Sequence, residues 1–189
     1  MIRKSIHLIA AARPNFMKVA PLYHALRKVG WAQTVIVHTG QHYDGNMSAV
    51  FFKELGLPDP AYHLSVGSGN HGFQTGKIME KLEGPLMKLK PDLVLVYGDT
   101  NSTLAGALTA AKLNIPVAHV EAGLRSFNRN MAEEINRVLT DHISGWLFCP
   151  SELAVKNLAK EGIHNGVSMV GDVMYDVCLW HLQRVDKHH

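Results

Sequence analysis

The chain has 189 residues, enough for one sizeable core without disulfides or metals as staples. Hydrophobic residues make up 47% and charged residues 19%, which excludes a disordered chain. The net charge is only +3 and the cations are scattered, so nothing marks a nucleic-acid footprint. No apolar run approaches the roughly 18 residues needed to cross a bilayer, so no membrane partner is expected. Cys149 and Cys178 make no disulfide framework and fit reduced thiols in a cytoplasmic protein.

Arg3 and Lys4 precede the apolar run Ile6 to Ala12, a pattern with some likeness to a secretory leader. His7 interrupts that run and Arg13 closes it, so a buried first strand over Ile6–Ala11 is expected instead. Asn15 is placed to cap a helix over Phe16–Lys28, with Met17, Ala20, Leu22 and Leu26 inward and Gly30 beyond its end. A second strand is expected at Thr34–His38 and a short helix at Ser48–Leu55. A loop of small residues, Ser65–Gly72, leads into a helix over Phe73–Leu89 that stops before Pro91. Leu93–Tyr97 is the clearest strand, and Gly98-Asp99-Thr100-Asn101 turns into a helix over Ser102–Leu113. Pro116–Val120 is a strand, Glu133–Ile143 a helix and Trp146–Cys149 a strand. Ser151 caps a helix to about Glu161, Val167–Val170 is a short strand, and a last helix starts near Asp172. This alternation is the signature of an α/β domain with a doubly wound parallel sheet, running without a linker from 1 to 189.

Ligands of open parallel sheets bind at the carboxyl ends of strands. The residues just after each strand are therefore the informative ones: Arg13-Pro14-Asn15 with Lys18, Gln41-His42, Gly98-Asp99-Thr100, and Glu121 to Arg125. Asp99 also suits an ordinary N-cap or turn role. Glu121 directly follows a buried strand, where a carboxylate needs a partner or a chemical job. Gly67 to Gly72 formally matches the spaced glycines of dinucleotide sites, but His63 to Val66 is a poor core strand and the turn after the first strand carries no glycine. No P-loop, zinc motif or nucleophile elbow is present, and no metal or other cofactor is expected. Of the twelve histidines, His42 and His119 are expected on the functional rim. The residues alone describe carboxylates for proton transfer and cations for an anionic ligand, without naming a reaction.

Five motifs occur in order: Arg13-Pro14-Asn15-Phe16-Met17-Lys18, Thr39 to Asp44, Tyr97 to Ser102, His119 to Arg125, and Glu133-Glu134-Ile135-Asn136-Arg137. Together the chain resembles the N-terminal half of the non-hydrolysing UDP-N-acetylglucosamine 2-epimerases. The resemblance implies a Rossmann-like domain equivalent to one half of the two-domain GT-B fold, with the active site in the cleft between halves. It implies interconversion of UDP-N-acetylglucosamine and UDP-N-acetylmannosamine by elimination and re-addition of UDP, with no cofactor and no metal.

By the same resemblance, Asp99, Glu121 and Glu133 are the acid/base candidates, Arg13 and Lys18 bind substrate, and Arg137 supports the site. Gln41 and Gln74 match positions of an activating second substrate molecule, although Phe73 stands where an Arg is common in the family. Ala11-Ala12 replaces the family's Gly-Thr, and Ala132 replaces a Pro. Adjacent helical residues point about 100° apart, so Glu133 and Glu134 cannot both face one sugar. The expected partners are a UDP-sugar, the missing C-terminal nucleotide-binding domain or a partner chain, and a second copy in a homo-oligomer. Alternatives are the epimerase of a related UDP-diacetamido sugar, a glycosyltransferase half or split subunit, and a non-catalytic sugar-nucleotide binder.

Overall fold

A computed structural model of the chain describes residues 3–11, 13–40 and 51–185. Its strands are β1 (Lys4–Ala10), β2 (Ala32–His38), β3 (Tyr62–His63), β4 (Leu93–Tyr97), β5 (Val117–Val120), β6 (Trp146–Cys149) and β7 (Val167–Met169). Its helices are α1 (Arg13–Lys28), α2 (His71–Leu89), α3 (Asn101–Lys112), α4 (Ala132–Ile143), α5 (Glu152–Lys160) and α6 (Val173–Val185). Residues 51–54 add one helical turn.

The seven strands form one sheet in the order β3-β2-β1-β4-β5-β6-β7, and every pairing is parallel. The physical cause is visible in β1 and β4. β4 is apolar throughout and β1 is buried from Ile6 to Ala10 with His7 its one polar side chain there, as strands covered on two faces require. Alternation sends Ile6, Leu8 and Ala10 to the face covered by Phe16, Val19, Ala20 and Tyr23 of α1. Ile9, Val94 and Val96 face the other way, against Ile78, Leu82 and Leu86 of α2 and three alanines of α3. Each fully buried leucine such as Leu82 contributes about 1.5–3 kcal/mol by leaving water.

β1 and β4 are neighbours, yet the chain leaves β1 into α1 on one face and β4 into α3 on the other. This divergence opens a crevice at their carboxyl ends, the place where doubly wound sheets bind ligands.

Several expectations shift. Helix α1 starts at Arg13, so Asn15 lies inside it and is not its cap; its Oδ1 instead accepts from Ala11 N at 3.3 Å. Among the four inward candidates of α1, Ala20 is fully buried, while Met17, Leu22 and Leu26 pack at the margin of the core. Tyr62–His63 forms a short edge strand beside Val37–His38, too brief for periodicity to reveal. The spaced glycines at 67–72 do lead from a strand into a helix, but that strand is the edge β3, remote from the crevice. The short helix expected at Ser48–Leu55 falls partly outside the described residues. Among the described residues, no helix is long and apolar enough to cross a membrane.

Candidate functional site

Two turns stand at the crevice. The first follows β4. Gly98 has φ +63°, a left-handed conformation that favours glycine. Thr100 then caps α3 by accepting from Thr103 N at 3.3 Å. Asp99 lies between them, with its side chain 35% exposed, so its carboxylate can reach a ligand. The cap role considered for Asp99 thus belongs to Thr100.

The second turn follows β5. Glu121 has φ +70°, a conformation that costs a non-glycine residue of order 1 kcal/mol or more. Its N–H and that of Ala122 both donate to Phe148 O at 3.1 Å, which holds the turn in place. The strain aims the Glu121 carboxylate back towards α1, where it pairs with Lys18.

Asp99 pairs with Arg137 Nη2. Arg137 reaches it from the second turn of α4, and its Nη1 donates to Glu134 Oε2 at 2.8 Å. Burial works against the Arg137 charge, but the Asp99 bond and the Asp99 and Glu134 charges outweigh it and hold the guanidinium protonated. The two ion pairs flank one backbone position. A Cβ on Gly98 would lie 3.1 Å from Lys18 Nζ and 3.3 Å from Glu121 Oε2, so the bare glycine lets that pair pack against the turn bearing Asp99.

The Glu133-Glu134 pair separates clearly. Glu133 is exposed in the first turn of α4 and has no hydrogen bond or ion pair with a described residue. Glu134 is 1% exposed and accepts from Ser126 N (2.9 Å), Ser126 Oγ (3.1 Å) and Phe127 N (2.9 Å). Burial tends to raise its pKa, yet those donors and Arg137 hold it below the ordinary carboxylate range. Glu134 is a clamp on the loop after Glu121; Glu133 is the carboxylate of the pair open to solvent.

The other expected residues fall as follows. Arg13 is the first residue of α1, directly beyond β1. Gln41 and His42 lie outside the described residues. Gln74 is buried, and its Nε2 donates to Gly67 O at 2.9 Å. Its Oε1 accepts from Asn101 Nδ2 at 2.8 Å, and Asn136 Nδ2 bonds both Asn101 Oδ1 (3.2 Å) and Asp99 O (2.9 Å). A line of amides therefore runs from Gln74 to the backbone of Asp99. His119 is not on the rim: it is fully buried, with Nδ1 2.6 Å from Asp141 Oδ1 and Nε2 2.7 Å from Gly98 O. Arg125 is likewise drawn inward, bonding Asp141 and Glu161. No group of three or more His, Cys, Asp or Glu among the described residues is arranged to hold a metal ion.

Sequence reasoning passed over Glu134, Asn136 and Asp141 as contributors. The apolar periodicity of α4 gave no signal for them: its buried face is Glu134, Asn136, Val138, Thr140 and Asp141, while Ile135 and Leu139 are exposed.

Comparison with known proteins agrees with this geometry. Residues 24–189 match the family model described as UDP-N-acetylglucosamine 2-epimerase. A UDP-N-acetylglucosamine 2-epimerase homolog of Methanococcus maripaludis is 59% identical over 95% of this chain and 50% of its own length. A UDP-2,3-diacetamido-2,3-dideoxy-D-glucuronate 2-epimerase of Pseudomonas aeruginosa is 51% identical over 93% of this chain and 51% of its own. The crystal structure of Methanocaldococcus jannaschii UDP-GlcNAc 2-epimerase in complex with UDP-GlcNAc and UDP superposes with a TM-score of 0.93 at 53% identity, over 97% of this chain and 51% of that one. The chain thus spans about half the length of the curated relatives it matches. With the parallel sheet, the paired carboxylates at its crevice and a family model covering most of its length, the chain belongs to the UDP-N-acetylglucosamine 2-epimerase family.

Proposed function

We propose that this chain is the N-terminal domain of a UDP-sugar 2-epimerase, in which Asp99, Glu121 and Glu133 carry proton transfer while Arg13, Lys18 and Arg137 hold the substrate. The observation that carries this reading is the pair of carboxylate–cation contacts flanking Gly98. Epimerisation at C2 of the sugar requires a base to take a weakly acidic C–H proton as the C1–O bond breaks. Return of a proton from the opposite face requires a second group, so one carboxylate is insufficient. Charge builds on the departing diphosphate, and cations beside the carboxylates stabilise it there. Lys18 and Arg137 serve both ends of the problem: each orients a carboxylate and presents a positive charge to the crevice.

Half the length of its relatives means one wall of a cleft. We read the domain as working with a second one that supplies the rest of the nucleotide site, within a homo-oligomer. UDP-N-acetylglucosamine is the substrate favoured by the relatives at 59% and 53% identity. The 51% identity to the diacetamido-glucuronate enzyme supports a UDP-diacetamido sugar as the second reading.

The test joins the chain to the C-terminal half of the M. jannaschii relative and supplies each UDP-sugar in deuterated water. Interconversion of the two C2 epimers with deuterium at C2 is expected from the joined protein, and less than about 1% of that rate from the chain alone. Brisk turnover by the chain alone overturns the half-enzyme reading. A joined protein that binds UDP-sugar without exchanging the C2 proton overturns the epimerase reading.

A further inference from the structure

Asp99 and Glu121 stand on different turns, and their relative placement must be set by something that touches both. Asp141 does so from α4, directly at one turn and through His119 at the other. Its Oδ2 accepts from Gly123 N at 3.0 Å, two residues beyond Glu121. Its Oδ1 meets His119 Nδ1 at 2.6 Å, and His119 Nε2 meets Gly98 O at 2.7 Å, one residue before Asp99. A carbonyl can only accept, so Nε2 carries a hydrogen towards Gly98. Burial disfavours the Asp141 charge, but the bond and charge of His119 and those of Arg125 outweigh it and keep the carboxyl below its ordinary range.

Both side chains are 0% exposed and neither faces the crevice. The Gly123 peptide is held from its other side too, since Asn157 Nδ2 donates to Gly123 O at 3.0 Å. A buried ionic cluster is a poor device for stability alone, because apolar side chains of the same volume fill such a space as well or better. What an apolar filling cannot do is fix two loops by directed bonds. Misplacement of reacting groups by about 1 Å costs on the order of 100-fold in rate.

We propose that Asp141, acting through His119 and the Gly123 N–H, is a positioning residue that sets the spacing of Asp99 and Glu121. The assignment rests on the epimerase reading of those two carboxylates.

The test uses the chain joined to the C-terminal half of the M. jannaschii relative. Asp141→Asn is expected to lower kcat at least 50-fold while KM changes less than threefold. Glu161→Gln cuts the outer arm of the same cluster, the Arg125–Glu161 pair, and touches neither turn. It is expected to lower the melting temperature and leave kcat within twofold. His119→Gln keeps a donor towards Gly98 O and is expected to retain at least ten times the kcat of His119→Leu. The proposal is overturned if Asp141→Asn keeps kcat within twofold, if its loss lies in KM alone, or if the Gln and Leu variants are equal. An unsubstituted joined protein without turnover counts against the epimerase reading instead. Amide exchange in the unsubstituted chain is independent of that reading and of whether any variant folds. Gly123 N–H is expected to exchange at least 100-fold more slowly than that of Arg129 in the same loop, and equal rates overturn the tether.

Discussion

Acid should weaken this domain through His7, and the effect can be sized from the structure. His7 sits in β1 between Val35 and Val94, 1% exposed, and both ring nitrogens lack a hydrogen-bond partner among the described residues. Burial lowers its pKa from 6.5 to about 4. The sign follows directly. The unfolded chain takes up a proton below pH 6.5, whereas the native ring stays neutral until about pH 4. The stability linked to His7 is therefore complete above pH 6.5 and is lost as pH falls towards 4. At 1.36 kcal/mol for each pH unit, the whole window is worth about 3 kcal/mol, a large share of the 5–15 kcal/mol typical of a domain. His7→Leu removes both orphaned nitrogens at similar volume, so it should stabilise the fold by about 1–3 kcal/mol at pH 7.5. It also removes the titration, so its advantage should grow by a further 2–3 kcal/mol, roughly, at pH 4.5. Urea unfolding of both proteins at the two pH values, followed by far-ultraviolet circular dichroism, measures the difference. Parallel stability–pH curves for the two proteins would refute the reasoning, because only residue 7 distinguishes them.

His38 is lowered to about 4 by burial and by the neighbouring His63, so His38→Leu should flatten the same pH window by a comparable amount in the same titration. Gly123→Ala places a Cβ 2.4 Å from Ala154 O at φ +79°, and should cost about 2–4 kcal/mol, read as a lower urea midpoint. Arg137→Met leaves Glu134 with its loop donors but no cation; it should cost about 2–3 kcal/mol in the chain and lower kcat of the joined enzyme about 100-fold. Ser151→Ala removes the oxygen that accepts from Ala154 N at 3.3 Å, and should cost about 1 kcal/mol with no change in turnover.

The elements themselves were readable because their causes are local. Leu93–Tyr97 and Trp146–Cys149 are found at the bounds their apolar runs suggest, and Ser151 caps α5 as its position before Glu152 implies. Errors arose where a cause was not local. Asn15 has cap chemistry, but α1 begins two residues earlier, where the chain leaves the crevice. Tyr62–His63 becomes a strand only because β2 offers a free edge beside it. His119 looked like a rim residue because it stands two positions before Glu121, yet it lies inside β5, where Asp141 and the Gly98 carbonyl hold its buried ring, while Glu121 leaves the strand at φ +70°.

Residue identity and order alone established the alternating α/β class and the strand ends beside which Asp99, Glu121 and Lys18 stand. Those properties depend on periodicities of two and 3.6 and on loops of a few residues. Which carboxylate meets which cation depended on the sheet order. Lys18 meets Glu121 across 103 positions of chain and Arg137 meets Asp99 across 38, because parallel strands bring successive turns to one edge. The division of Glu133 from Glu134, and the hold of Asp141 on both turns, likewise come from how α4 packs. A helix rotation of about 100° per residue exposes one carboxylate and buries the next, and the packed neighbours determine which is which.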